Sequence, residues 1–216
     1  MGDIYQLQGE LWEASLLYSQ VEKDFPHDTL GQEAKFRNAE LAFHMGEFEW
    51  AKAQLDVLRA ATSKLVANDA MYLSLLIADH EGEDSINLPL QYYARADFYF
   101  ECREYEKAER LLDSIALLRQ SHQLEDDILF RKSELAVVRK EYDKADRLLA
   151  DFIERFPDEL LTDDALYRRA LLRESELQDP LTAMDLYQRL LKTFPDSMYA
   201  PDARGHYRAL RSKNNL

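Results

Sequence analysis

The 216-residue chain has a single cysteine, Cys102, so it forms no internal disulfide and holds no cysteine-based metal site. The plain reading of that residue is a small buried hydrophobe. Six glycines and six prolines are too few for a low-complexity or collagen-like chain. Most of them punctuate long breaker-free stretches that read as helices. No apolar run reaches the roughly 18 residues a membrane-spanning helix needs. The start, Met1-Gly2-Asp3-Ile4, lacks the basic and apolar regions of a secretory leader. Cations are scarce: 27 Lys and Arg stand against 41 Asp and Glu, a formal net charge of −14. That balance argues against nucleic acid as a partner, because phosphate binding needs clustered Lys and Arg. It favours basic partners instead. With 46% hydrophobic residues the chain is not disordered.

What is present is a rhythm. Ala14, Ala51, Ala108, Ala145 and Ala183 recur at spacings of 37, 57, 37 and 38 residues. Each closes a similar phrase: Gly-Glu-Leu-Trp-Glu-Ala at 9–14, Gly-Glu-Phe-Glu-Trp-Ala at 46–51, Arg-Glu-Tyr-Glu-Lys-Ala at 103–108 and Lys-Glu-Tyr-Asp-Lys-Ala at 140–145, with Gln-Asp-Pro-Leu-Thr-Ala at 178–183 a weaker copy. A fixed period of this size means stacked supersecondary units. The small alanine lets two antiparallel helices approach closely. The second helix carries apolar residues at helical spacing, as in Ala145, Leu148, Leu149, Phe152, Ile153 and Phe156. Phe25-Pro26, Phe156-Pro157 and Phe194-Pro195 follow the alanine at a constant distance, and the proline stops the helix. The first helix of each unit has an aromatic followed three residues on by a small residue: Phe36-Ala39, Tyr93-Ala96, Phe130-Ser133 and Tyr167-Ala170. Asp28, Asp69, Asp126, Asp163 and Asp196 precede these helices and suit their N-termini.

The phrase Gly-Glu/Asp-aromatic-x-x-Ala, with proline twelve residues after the alanine, resembles the tetratricopeptide repeat (TPR). Asp163-Asp164-Ala165-Leu166-Tyr167 and the stretch from Phe194 to Arg204 are similar to the subclass found in BamD-type lipoproteins and other bacterial cell-envelope TPR proteins. The resemblance implies an all-α, right-handed superhelical solenoid of roughly eleven or twelve helices over residues 1–216. It also implies a periplasmic or cell-envelope setting. The sequence itself does not settle the compartment.

Two features break the rhythm. The 57-residue gap holds an extra first-type helix around Asp69-Ala70-Met71-Tyr72. One unit therefore reads as having lost its second helix, with an irregular stretch near 78–90 and an irregular connection over 80–89. A hinge and a tolerated deletion are equally good explanations of it. The first turn, at Gly9-Glu10, follows too short a segment for a full first helix, so the chain reads as the C-terminal part of a longer array. Residues 197–213, with Arg204, His206, Arg208, Arg211 and Lys213, read as a basic capping helix.

No catalytic constellation stands out: there is no phosphate loop, no HExxH and no Gly-x-Ser-x-Gly. The expectation is a chain that is not an enzyme and takes no cofactor or metal. The acidic stretch Asp79-His80-Glu81, with Glu83 and Asp84, lacks the order of an EF-hand. What remains is surface recognition of a protein or peptide with basic residues. In TPR solenoids the first helix of each unit lines the concave face. By resemblance this groove would be lined by Glu33, Phe36, Glu40 and Phe43, then by Tyr93, Asp97, Phe100 and Glu101. It would continue through Asp127, Phe130, Glu134 and Val137, then Asp164, Tyr167 and Glu174. The alternative is that these aromatics are inter-repeat core and the acids a solvated face. Members that grip a C-terminal carboxylate use Lys and Asn where this chain has Phe36 and Glu40, then Tyr93 and Asp97, and these acids would repel such a ligand. Two further readings remain open: a recruitment or regulatory domain of a larger enzyme, and a homo-oligomerisation module.

Overall fold

The computed structural model describes residues 1–26, 28–59, 64–80, 87–118 and 124–213. These residues form twelve α-helices and no strand. The chain divides into two compact units, Met1–Gln123 and Leu124–Leu216. The first holds α1 (Gly2–Gln8), α2 (Leu11–Asp24), α3 (Thr29–His44), α4 (Phe48–Leu58), α5 (Lys64–Asp79), α6 (Leu88–Glu101) and α7 (Tyr105–Ile115). The second holds α8 (Glu125–Val138), α9 (Tyr142–Arg155), α10 (Thr162–Ser175), α11 (Pro180–Thr193) and α12 (Ala200–Lys213). Neighbours in sequence pack on one another from α1 to α5, from α6 to α7 and from α8 to α12, the pattern of a helical repeat array.

Each rhythm alanine is the fourth residue of its helix, in α2, α4, α7, α9 and α11, and all five are fully buried. The small residues of the facing first helices, Ala39, Ala96, Ser133 and Ala170, are buried as well. The turn between the two helices explains the rest of the phrase. Five residues before each alanine the backbone is left-handed, at Gly9, Gly46, Arg103, Lys140 and Gln178. In the first four turns the next residue is a glutamate whose N–H bonds back five residues, as in Glu47 to Ala42 and Glu141 to Ala136. The carbonyl of that glutamate then accepts the alanine N–H, which starts the second helix. The weaker copy at 178–183 uses a different start. Asp179 accepts from the Thr182 N–H at 3.2 Å and Pro180 takes the first helical position.

The Phe-Pro stops act as read. Phe25, Phe156 and Phe194 cap α2, α9 and α11, each with φ near −128°. Those three helices run 14 residues, whereas α4 and α7, which lack the dipeptide, run 11. The reading of the aspartates needs correction. Asp28 is a true N-cap, accepting from the Leu30 N–H at 2.9 Å. Asp126 and Asp163 lie inside the first turns of α8 and α10, where the helix dipole favours them, and Asp163 accepts from the Asp164 N–H at 2.9 Å. Asp69 is interior to α5, and Asp196 lies in the turn before α12.

In the first unit, α3 is the hub: it packs on α2 and α4 and also on α5 and α6. α5 runs to Asp79 and α6 starts at Leu88, with Asn87 as its cap, so helix occupies both ends of the stretch read as irregular. Residues 81–86 lie outside the described ones. His44 Nε2 on α3 donates to Asp97 on α6 at 2.9 Å, between the buried Phe43 and the half-buried Phe98. Gly31 on α3 allows the close approach of the preceding chain, since a Cβ there would lie 1.9 Å from the Phe25 carbonyl oxygen.

In the second unit, Phe130, Phe152, Leu166, Tyr187 and Leu190 centre a continuous core. Beside it, Asp146 of α9 is buried between Arg169 and Arg173 of α10, and Arg173 also reaches Asp179 at the start of α11 at 3.1 Å. Burial opposes ionisation of Asp146. Hydrogen bonds from Arg173 and Arg169 outweigh it and hold the carboxyl below its ordinary 3.8.

These turns and ion pairs set the stability of three variants. Lys140 adopts φ 61°, where a side chain costs about 1–2 kcal/mol relative to glycine. Lys140→Gly should therefore stabilise by about 0.5–1 kcal/mol net of unfolded-chain entropy. Gly46→Ala, at φ 82°, should cost about 1 kcal/mol. Guanidinium melts followed by circular dichroism check both, and equal stability of Lys140→Gly and the parent would contradict the turn argument. Asp146→Asn should cost about 2–4 kcal/mol at neutral pH, because it strands the part-buried Arg169 and leaves Arg173 with Asp179 alone. Asp146 holds its proton less readily folded than unfolded. Its contribution is thus full above pH 3.8 and is lost as pH falls through the lower folded-state value. Melts from neutral pH to pH 3.8 and below should show this acid limb in the parent and a flatter one in the variant.

Candidate functional site

In the first unit, the expected groove residues of α3 and α6 separate into two kinds. Phe36, Phe43 and Tyr93 are buried, and Phe43 is completely enclosed, so these side chains form core and offer no docking surface. Tyr93 meets Tyr72 of α5, hydroxyl to hydroxyl, at 3.3 Å. Phe100 is half-buried and tilts against Tyr105 of α7. The acids divide too. Asp97 is buried against His44, and Glu40 pairs with Arg37 at 3.0 Å. Burial pushes the Glu40 carboxyl up, against the pull of His44 and Arg37. Glu33 and Glu101 are exposed.

Glu33 lines a cleft of about 490 Å³ between α1, α2 and α3. Leu17, Val21 and Leu30 supply apolar wall, and Asp3, Asp24 and Glu33 supply acids, against one basic side chain, Arg37. Arg37 already serves Glu40. Tyr18, also in this cleft, donates to Asp3, and burial together with that bond raises its phenol above the ordinary value.

In the second unit, Asp127 and Phe130 of α8 are buried, and Phe130 packs edge-on against Phe152 with ring centroids 5.6 Å apart. Val137 is exposed. Glu134 sits between two arginines, Arg131 and Arg168, each at 2.7 Å. Arg168 also holds Asp164 at 2.7 Å and covers the Phe130 ring. Burial raises the Asp164 carboxyl, and Arg168 opposes it. Tyr167 stacks on Tyr199, and Glu174 accepts from the Tyr187 hydroxyl at 2.8 Å and lies 2.9 Å from His206 Nδ1.

The acids of the expected groove therefore carry partners that a reading of acids and aromatics alone leaves out. Arg37 and Arg131 stand three residues before Glu40 and Glu134 on the same helix face, a spacing visible in the sequence. Arg168 to Glu134 and His44 to Asp97 join different helices and have no local signal. Cys102 is part-buried, and burial followed by Glu104 and Glu101 raises its thiol, which disfavours the reactive thiolate. Of the acidic stretch after α5, Asp79 is exposed, and the buried His80 donates from Nδ1 to the Leu76 carbonyl at 2.6 Å. Glu81, Glu83 and Asp84 lie outside the described residues. Among the described residues, no group of three or more His, Cys, Asp and Glu is placed to hold a metal ion. None of the described helices is long and apolar enough to cross a membrane.

No curated protein matches the chain. Residues 164–197, which run through α10 and α11 to the turn before α12, match the family model described as the tetratricopeptide repeat, and it is to this repeat that the helix pair is similar.

Proposed function

We propose that the chain is a non-catalytic scaffold that binds a protein segment carrying Lys or Arg among apolar residues. The observation that carries this reading is the cleft between α1, α2 and α3. Its walls are apolar, its rim is acidic, and its one arginine is already engaged by Glu40. Apolar side chains of a ligand would remove Leu17, Val21 and Leu30 from water, and its cations would meet Asp24 and Glu33. Tetratricopeptide repeats commonly mediate protein–protein interaction, and the family match supports the same use here. The fold is generally a non-catalytic one, in keeping with the lack of a catalytic motif in the sequence. The likeness of Asp163–Tyr167 and of Phe194–Arg204 to cell-envelope repeats supports a bacterial envelope setting.

The paired acids refine which residues to test. Reversing Glu40, Asp97 or Glu134 would disturb internal pairs, whereas Asp24 and Glu33 are exposed. Fluorescence anisotropy with labelled peptides of about 15 residues, rich in Lys and Leu, should show binding that weakens with salt. Asp24→Lys combined with Glu33→Lys should lower that affinity about tenfold or more, and peptides with Glu in place of Lys should bind no better than that variant. Equal binding of the Lys and Glu peptides to the parent chain would overturn the proposal.

A further inference from the structure

A second surface of the first unit is apolar without apparent structural need. Trp12 and Leu16 of α2 are 70% and 71% exposed. They stand two residues before and two after Ala14. The same positions around Ala108 and Ala145 hold Glu106 and Arg110 in α7, and Asp143 and Arg147 in α9, all exposed. The repeat therefore has no packing requirement for a large hydrophobe there. Ile4 and Leu7, on neighbouring α1, are also more than half exposed, so both packed helices carry exposed apolar side chains. Exposed apolar surface of this kind marks a contact site.

Charge indicates what covers it. Residues 1–22 hold four acids, Asp3, Glu10, Glu13 and Glu22, and no Lys, Arg or His. Glu10 and Glu13 are exposed beside Trp12 and have no cationic partner among the described residues. In a chain of net charge −14, the complementary surface is α12. Residues 203–213 contain Arg204, His206, Arg208, Arg211 and Lys213 and no acid. Arg204 and Arg208 are exposed and pair with no carboxylate among the described residues, unlike Arg155, Arg168, Arg169 and Arg173 of the same unit. A Cβ at Gly205, between them, would meet nothing within 4 Å, so this face has room for a bulky partner.

We propose that the α1–α2 face of one copy receives the α12 face of a second copy. Trp12 and Leu16 lie along the aliphatic stems of Arg204 and Arg208, whose guanidinium groups meet Glu10 and Glu13. The two faces are unlike, so the contact is heterologous and each copy brings one of each. This surface and its partner are separate from the cleft lined by Glu33, and either reading can fail without the other.

Sedimentation velocity of the chain over about 1–200 µM tests the proposal, because association follows mass action. The weight-average mass should rise above that of the monomer at low salt and fall back at high salt. Glu10→Lys with Glu13→Lys should remain monomeric, since both of its faces are then basic. Arg204→Glu with Arg208→Glu should remain monomeric, since both are then acidic. An equimolar mixture of the two variants should associate again, because each then finds its complement in the other. All four positions are exposed, and circular dichroism checks that both variants keep their helices. A parent chain that is monomeric throughout overturns the proposal. Association lost in the first variant but kept in the second overturns it in favour of the α1–α2 face pairing with itself. A mixture of folded variants that fails to associate overturns the charge match.

Discussion

The close approach at five buried alanines is the constraint on which this architecture depends. Ala14, Ala51, Ala108, Ala145 and Ala183 are each the fourth residue of a second helix, where the facing first helix offers another small or apolar contact. A larger side chain at such a site would force the two helices apart, and a tightly packed interior accommodates that badly. The left-handed residue five positions earlier is the other half of the device. It reverses the chain within four residues and presents a carbonyl for the alanine N–H. Local backbone geometry and tertiary contact are thus specified by one six-residue phrase. The phrase tolerates variation only where the physics allows it: glycine at 9 and 46 avoids strain, while Arg103, Lys140 and Gln178 hold the same conformation at a cost in stability.

That coupling explains why so much of the fold was legible. Helix pairs, their order and the Phe-Pro stops of α2, α9 and α11 all rest on short-range signals such as Phe-Pro and the alanine phrase. Legibility failed where the deciding partner lies on another helix. Asp69 carries the residue type of a cap, but α5 begins five residues before it. The groove was legible as a set of helix faces and misjudged as a surface. Phe43 and Tyr93 have the spacing of groove aromatics, and the same spacing places them in the core, because one helix stripe must serve both its own pair and the next.

The contacts of α3 show how one helix can serve several neighbours. α3 packs on α5 and α6 both, and the junction with α6 is polar: His44 and Asp97 are buried together rather than replaced by hydrophobes. His44 Nδ1 is buried with no hydrogen-bond partner, an expense that an apolar pair would avoid. A buried polar pair of this kind fixes which helix sits against α3, since a sliding or exchanged neighbour would leave both groups without their bond. In a repeat array, where every first helix resembles the next, such discrimination has a physical purpose.

The same reasoning changes what acidity means for recognition. An acid that already holds an arginine, as Glu134 holds Arg131 and Arg168, offers little to an incoming cation, which would have to displace a well-placed guanidinium and repack the aromatic beneath it. An acid without such a partner is available at once. Net charge therefore overstates the binding surface, and pairing locates it. In the first unit, exposed acids stand beside exposed apolar side chains at Asp24 and Glu33 of the α1–α2–α3 cleft and at Glu10 and Glu13 next to Trp12. Apolar contact supplies affinity and unpaired charge supplies selectivity, and this unit is where the described surface combines the two.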